Sequence, residues 1–326
     1  MHWVFDQTVS FEEKALKLFQ LQAQHCSVYK RYLDLLKVDL NAINSIDKIP
    51  FLPIELFKNN RIISDNQKPQ ITFSSSGTTG QQPSKPHVAD ASIYQDSLKQ
   101  GFQHFYGNPK DYRILALLPS YLEREGSSLV YMCDQLIQES QYLQNGFYLH
   151  NIKELAEILT QECERKTLLI GVSYALLDLV ELGPFNLENT IVMETGGMKG
   201  KRKEMIKSEL HSVLQQGFSL QNIHSEYGMT ELLSQAYSKE NGIFETPPWM
   251  KVLIRDTEDP LSILKYGLTG GINVIDLANV NSCAFIATQD LGKSFDNNTF
   301  EILGRFEQAD IRGCNLLLNE NDYTKS

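Results

Sequence analysis

Apolar positions along the chain follow two rhythms. Over residues 10–37 they recur at helical spacing, with Leu16, Phe19, Leu21 and Tyr29 contributing to one face. Ser10 with Glu13 three residues later forms a capping-box start for that helix. The stretch KIPFLPIELFK (48–58) is apolar, but Pro50 and Pro53 interrupt it, so it reads as an ordered connection. Further on, short apolar runs alternate with helical stretches. QITF (70–73), RILALL (113–118), TLLIGV (167–172) and TIVMET (190–195) have the length of buried strands. Helical patterns cover 91–105, 127–138, 151–164, 174–182 and 202–215. This alternation predicts an α/β fold of layered, mostly parallel sheet flanked by helices. In the last third, GINVID (271–276), CAFIAT (283–288) and TFEIL (299–303) follow one another without helices, which predicts a smaller antiparallel sheet toward the C-terminus.

Composition narrows the function classes. The 326 residues suit one large domain or two ordinary ones, and 42% hydrophobic with 21% charged residues is a globular balance. A net charge of −10 argues against a nucleic-acid partner, though it leaves room for a locally cationic site. The five cysteines (Cys26, Cys133, Cys163, Cys283 and Cys314) show no C-x-x-C spacing, and the seven histidines no H-E-x-x-H, which argues against zinc. Such cysteine usage fits reduced thiols in the cytoplasm. The N-terminus lacks the pattern of a signal peptide, and the longest apolar run, LLIGVSYALL, falls short of the ~18 residues of a membrane span. A soluble cytoplasmic protein is expected.

One stretch, TFSSSGTTGQQPSKPH (72–87), is dominated by Ser, Thr and Gly. Small residues let backbone N–H groups approach a ligand closely, hydroxyls add donors, and Lys85 adds a positive charge, a combination that can cradle phosphate. It is not a Walker A loop. Composition alone fits a flexible surface loop equally well. The strand-like lead-in and the helical stretch that follows favour phosphate.

SSSGTTGQQPSK resembles the phosphate loop of the adenylate-forming superfamily of acyl-CoA synthetases, luciferases and related ligases. Three more motifs follow in that superfamily's order. EYGMTE (226–231) resembles its Y-G-x-T-E motif. TQDLG (288–292) resembles T-G-D-x-G, with Gln289 in place of glycine. GRFEQADIRG (304–313) resembles G-R-x-x-D, with Glu307 or Gln308 where an acid is usual. Within the superfamily the chain is most similar to the acyl-protein synthetases, the LuxE-like fatty-acid activating proteins. IPFLPIELFK, LLPSYLEREGSSLVYM (117–132), ETGGMKG (194–200) and IRGCNLL (311–317) carry that likeness.

The resemblance implies the N-terminal domain fold of adenylate-forming enzymes. It places a helical lead-in at 1–65, packed on a catalytic domain at 66–319, and implies that the superfamily's C-terminal lid domain is absent. The implied reaction is attack of a carboxylate on the α-phosphate of ATP, with Mg2+ as cofactor. Ser75, Ser76, Gly77, Thr78, Thr79, Gly80 and Lys85 would hold phosphates. Glu231 would help hold Mg2+; the alternative is a helix N-terminal acid. Tyr227, with Gly228 and Thr230 in the same motif, would stack on adenine, and Gly196 and Gly197 would pass against the purine edge. Asp290 would accept ribose hydroxyls and Arg305 would contact ribose or phosphate. Tyr121, Ser127, Ser128, Gly171 and Ser173 are candidates for the acid's pocket; core packing and turns are the bland alternatives for all of these. KGKRKEMIK (199–207) carries five positive charges, ordinarily a solvated helix face.

The resemblance implies that the acyl group is passed to a cysteine near the C-terminus, the place that Cys314 occupies, with cationic Arg312 nearby to favour a thiolate; a buried cysteine opening the apolar run CNLLL is the alternative. Catalytic roles therefore fall to Cys314, Lys85 and Arg305, with Lys199 and Lys85 as candidates for the lysine that a lid would supply. An acyl-reductase or another acyl-acceptor protein would be the partner. A carboxylate–CoA ligase or acyltransferase component, and a non-catalytic nucleotide-binding subunit, remain as alternatives.

Overall fold

The computed structural model describes residues 2–75, 82–119, 126–196, 202, 203 and 205–306. Fourteen strands lie within them. β1 (Leu52–Pro53) is followed by the ribbon strands β2 (Ile71–Thr72) and β3 (His87–Val88). Then come β4 (Tyr112–Leu117), β5 (Gly146–Phe147), β6 (Lys166–Val172), β7 (Thr190–Thr195) and β8 (His224–Tyr227). The last six are β9 (Ala236–Ser238), β10 (Ile243–Glu245), β11 (Met250–Arg255), β12 (Thr269–Asp276), β13 (Phe285–Ser294) and β14 (Thr299–Arg305). All but the ribbon form one sheet in the order β11–β12–β13–β14–β10–β9–β8–β7–β6–β4–β5, with β1 added beside β13.

The β5–β4–β6–β7–β8 half is parallel. β4, β6 and β7 are buried along nearly their whole length, which is why they read as unbroken apolar runs. Helices Ser128–Ser140, Ile152–Leu159, Ser173–Val180 and Lys207–Phe218 make the connections between these strands. The antiparallel strands expected toward the C-terminus are present, and they are hydrogen-bonded onto the parallel half through β8–β9, β9–β10 and β10–β14. Three short strands, β8 to β10, and the longer β11 carry mixed side chains and show no clear alternation in the sequence.

The helix predicted over 10–37 is two helices, Phe11–His25 and Ser27–Leu35. Ser10 caps the first by accepting from the Glu13 N–H at 3.1 Å. The break falls at Cys26, which is extended and fully buried. It redirects the chain so that Tyr29 donates to the Pro50 carbonyl at 2.7 Å while Gln22 donates to the Asn279 carbonyl at 2.7 Å. Phe19, Tyr29 and Phe51 converge on Phe285 of β13, with ring centroids 6.1 to 6.2 Å apart. β1 runs parallel to β13, pairing Leu52 with Ile286 and Pro53 with Ala287. The N-terminal segment is thereby anchored to a strand that carries one of the motifs.

The helix expected at 202–215 begins only at Lys207. Arg202 lies ahead of it and pairs with Asp178 and Glu181, while Lys207 pairs with buried Glu194 at 2.8 Å. Two cations of the basic run are therefore bound to carboxylates instead of forming a solvated helix face. The helix over 151–164 stops at Leu159, where the Thr160 hydroxyl bonds back to the Glu157 carbonyl at 2.8 Å.

Candidate functional site

Parallel strands expose the ends of their backbones, and ligands of such sheets bind beyond the carboxyl ends. The motif residues gather there and along β13. The ribbon continues past β2 and β3: the Phe73 N–H donates to the Pro86 carbonyl at 3.0 Å, and Ser75 N–H to the Ser84 carbonyl at 3.1 Å. The Ser84 N–H returns a bond to Ser75 Oγ at 2.9 Å. Buried Ser84 then donates its hydroxyl to Glu231 Oε1. The start and finish of the Ser/Gly-rich stretch are thus tied to the acid of the EYGMTE motif. Glu231 is 8% exposed and lies in a turn closed by the Leu232 N–H on the Met229 carbonyl, 3.0 Å apart, rather than in a helix. Thr230 shares that turn, half-buried. Burial pushes the Glu231 carboxyl up, and the Ser84 hydroxyl opposes that shift. A buried carboxylate beside a hydroxyl fits a hard divalent cation that takes its remaining ligands from water and phosphate oxygens. Lys85 is exposed, and its backbone N–H reaches the Phe57 carbonyl at 3.4 Å.

A second group lies across β8, β13 and β14. Tyr227 donates its hydroxyl to Asp290 Oδ2 at 2.8 Å, and Arg305 Nε donates to Asp290 Oδ1 at 3.2 Å. Asp290 and Arg305 are register partners. The period of two in β13 puts Thr288 and Asp290 on one buried face and Gln289 on the other. Gln289, which departs from the glycine of the T-G-D-x-G pattern, uses that outer face to donate to Glu55 at 2.6 Å. Tyr227 is only 8% exposed, its ring packed edge-on against Phe244 and Phe300. Little ring face is open to stack on adenine, and in this conformation the tyrosine supports Asp290. The Arg305 side chain is 66% exposed, free to meet an anion with its remaining donors.

A third group lies at the carboxyl end of β7. Glu194 ends β7 among Lys207 at 2.8 Å, His211 at 3.5 Å and Ser173 at 3.4 Å. Burial pushes its carboxyl up, but the His211 hydrogen bond and the Lys207 charge outweigh that and bring it to about 2. Ser173 also donates to the Gly196 carbonyl at 3.1 Å, and Gly196 takes a φ of 68°, a backbone state that suits glycine. Gly171 is a packing residue: a Cβ there would stand 3.0 Å from Leu117. Ser127 caps the helix Ser128–Ser140 by accepting from the Val130 N–H at 3.4 Å, and the Ser128 carbonyl accepts from Tyr94 at 3.3 Å. Both lie near the phosphate stretch, because the Ser74 N–H donates to the adjoining Gly126 carbonyl at 2.8 Å.

Glu226 is a site residue that the sequence did not single out. It accepts from Thr195 Oγ1 at 2.5 Å, and a Cβ at Gly228 would stand 2.5 Å from its Oε1. Glycine at 228 is what leaves that carboxyl its place. Burial, with Glu194 nearby, raises Glu226 to about 7. A carboxyl raised in the fold contributes its stability below its ordinary range and loses it as pH rises through the folded value. Glu226→Gln, which keeps an acceptor for Thr195, is therefore expected to gain in melting temperature relative to wild type between about pH 5 and about pH 8. A difference that stays flat or shrinks over that range, measured by calorimetry, contradicts the assignment.

Ser76, Gly77, Thr78, Thr79, Gly80, Tyr121, Gly197, Lys199 and Cys314 lie outside the described residues. Among the described cysteines, Cys26, Cys133 and Cys283 are buried, their thiols pushed up by burial, and Cys163 is partly exposed. No helix among the described residues is long and apolar enough to cross a membrane.

The fold is that of the adenylate-forming enzymes. A structure of 2-hydroxyisobutyryl-CoA ligase in complex with 2-HIB-AMP and CoA matches with a TM-score of 0.69 at 12% identity, covering 90% of this chain and 69% of that one. ATP-bound MatB from Rhodopseudomonas palustris matches with a TM-score of 0.54 at 16% identity, over 72% of this chain and 47% of that one. Residues 1–112 match the family model for acyl-protein synthetase, LuxE. A long-chain-fatty-acid–luciferin-component ligase from Photorhabdus luminescens is 36% identical over 78 residues, 23% of this chain and 66% of the relative. The chain thus spans about half the length of MatB and 66% of the curated relative.

Proposed function

We propose that this protein activates a carboxylic acid, a fatty acid first of all, as its acyl-adenylate and then transfers the acyl group to a thiol. In the first step a carboxylate oxygen attacks the α-phosphorus of ATP and pyrophosphate leaves. In the second a thiolate attacks the acyl carbon, a thioester forms and AMP leaves. The observation that carries this reading is the hydrogen-bonded link from the Ser/Gly-rich stretch through Ser84 to buried Glu231. It supports a site in which phosphate donors would stand beside a cation-binding oxygen, the pairing a triphosphate needs. Mg2+, held by Glu231 and phosphate oxygens, would neutralise charge as the carboxylate approaches.

Within this reading, Ser75 and the residues after it, with Lys85, hold the β- and γ-phosphates. Asp290 orients the ribose, braced by Tyr227, and Arg305 supplies a further cation. Gly196 and Gly197 border the purine. The acid enters beside Tyr121, Ser127, Ser128 and Ser173. Cys314 is the proposed acyl carrier, since three of the four described cysteines are buried and poorly ionised. We place residues 1–65 as a lead-in to a catalytic unit at 66–319, acting in the cytoplasm, where the free thiols of the described cysteines would persist. An acyl-reductase or other acceptor protein is the proposed onward partner.

The test is intact-mass and peptide analysis after incubation with ATP, Mg2+, CoA and a panel of acids. The expected result is an acyl adduct on the Cys314 peptide that is absent in Cys314→Ser. Formation of a CoA thioester in place of the adduct would turn the reading to a CoA ligase. ATP binding without pyrophosphate release for any acid would leave a nucleotide-binding subunit.

A further inference from the structure

Arg255 closes β11 at only 9% exposure, yet no carboxylate among the described residues lies within ion-pair distance of it. Its guanidinium is spent on neutral acceptors. Nη1 donates to the Ile272 carbonyl at 2.8 Å and to Asn273 Oδ1 at 2.9 Å, and Nη2 donates to the Thr288 carbonyl at 2.6 Å. The Phe306 ring covers it, 5.2 Å from the guanidinium carbon to the ring centroid. The sheet makes room for this group: a Cβ at Gly271 would stand 2.5 Å from Arg255 Cζ. A buried cation among carbonyls is a costly way to stabilise a sheet, since apolar side chains of the same volume generally serve as well or better. Glycine inside a strand weakens it further.

What the arginine holds is specific. The register slips between Gly271 and Asn273 on β12, and again between Leu291 and Gly292 on β13. These irregularities bracket the stretch that presents Asp290. Inside it, Thr288 Oγ1 donates to the Ile272 carbonyl at 2.9 Å and accepts the Asp290 N–H at 3.1 Å. Arg255 grips both Ile272 and Thr288, and Thr288 grips Asp290.

We infer that Arg255 and Thr288 are positioning residues that aim Asp290 at the sugar of the bound nucleotide, so that they set the preference for ribose over 2′-deoxyribose. This rests on the proposed nucleotide site. The fork of the guanidinium fixes two carbonyls at once, which a lysine does not reproduce. The Thr288 hydroxyl carries that rigidity to the Asp290 backbone two residues on.

The test is calorimetric titration of the full chain with ATP and with 2′-deoxyATP, each with Mg2+, read as the ratio of the two dissociation constants. Asp290→Ala is expected to bring the ratio near one. Thr288→Val is expected to reduce the wild-type ratio about five-fold, the scale of one hydrogen bond, while Thr288→Ser, which keeps the hydroxyl, retains it. Gly271→Ala, which displaces the guanidinium, is expected to act like Thr288→Val, so the test does not hang on one variant's folding. Wild-type ratios in both Thr288→Val and Gly271→Ala, with a collapsed ratio in Asp290→Ala, would overturn the inference and leave the nucleotide site standing. A wild-type ratio near one, or one unmoved in Asp290→Ala, would overturn the ribose contact and this inference with it.

Discussion

Glu231→Gln is expected to lower acid-dependent exchange of pyrophosphate into ATP by about a hundred-fold or more, with the fold intact. Glutamine keeps the length of the side chain and an oxygen for the Ser84 hydroxyl, so the local packing around residue 231 should survive. What it removes is the negative charge that a divalent cation needs in a buried place. The loss should appear at every Mg2+ concentration, whereas Ser84→Ala, which frees the carboxylate without removing it, should chiefly raise the Mg2+ requirement. Exchange within about three-fold of wild type in Glu231→Gln would mean that the carboxylate does no more than tie the turn to the ribbon.

Asp276→Ala is expected to cost about 4 kcal/mol of folding stability. Asp276 is fully buried at the end of β12. Its Oδ2 accepts the N–H groups of Leu233 and Ser234 at 2.7 and 3.0 Å, and its Oδ1 accepts the Ser234 hydroxyl at 2.6 Å and the Ala278 N–H at 3.1 Å. Alanine would leave these donors buried and unpaired, and each such donor costs about 1–3 kcal/mol unless water enters. A domain of this kind has only about 5–15 kcal/mol in hand. Ser234 also accepts from Trp249 Nε1 at 3.0 Å, so the tryptophan emission should shift in the folded variant. Because Leu233 and Ser234 follow directly on the Glu231 turn, nucleotide affinity should fall as well. Urea unfolding is the measurement. A change below about 1 kcal/mol would show that this carboxylate is dispensable to the segment.

Which parts of this could be read from the sequence follows from where the information lies. β4, β6 and β7 were legible because a strand buried on both faces needs an unbroken apolar run. The Ser10 cap was legible because capping is local. The break at Cys26 was not, since it depends on where Tyr29 and Gln22 find partners in Pro50 and Asn279, far away along the chain. β8 to β10 are short, β11 is mixed in character, and their pairing is decided by neighbours rather than by alternation.

The site divides in the same way. Tyr227, Glu231, Asp290 and Arg305 stand out as motif residues, and the fold brings Tyr227, Asp290 and Arg305 into one hydrogen-bonded group. The residues that hold them carry no local signature. Ser84 and Asp276 look like ordinary polar residues until the sheet brings them to Glu231 and Ser234. Gln289 looks like a defect in its motif until Glu55 is seen opposite it. Glu226 acquires its raised carboxyl only because burial and Glu194 meet it inside the sheet, where β8 lies between β7 and β9.

The most direct test is a crystal structure with a non-hydrolysable ATP analogue and Mg2+. The expected density places the triphosphate against Ser75 and the residues that follow it, a metal on Glu231, and the ribose hydroxyls within hydrogen-bond reach of Asp290. Nucleotide bound at a site that touches neither Glu231 nor Asp290 would contradict the account.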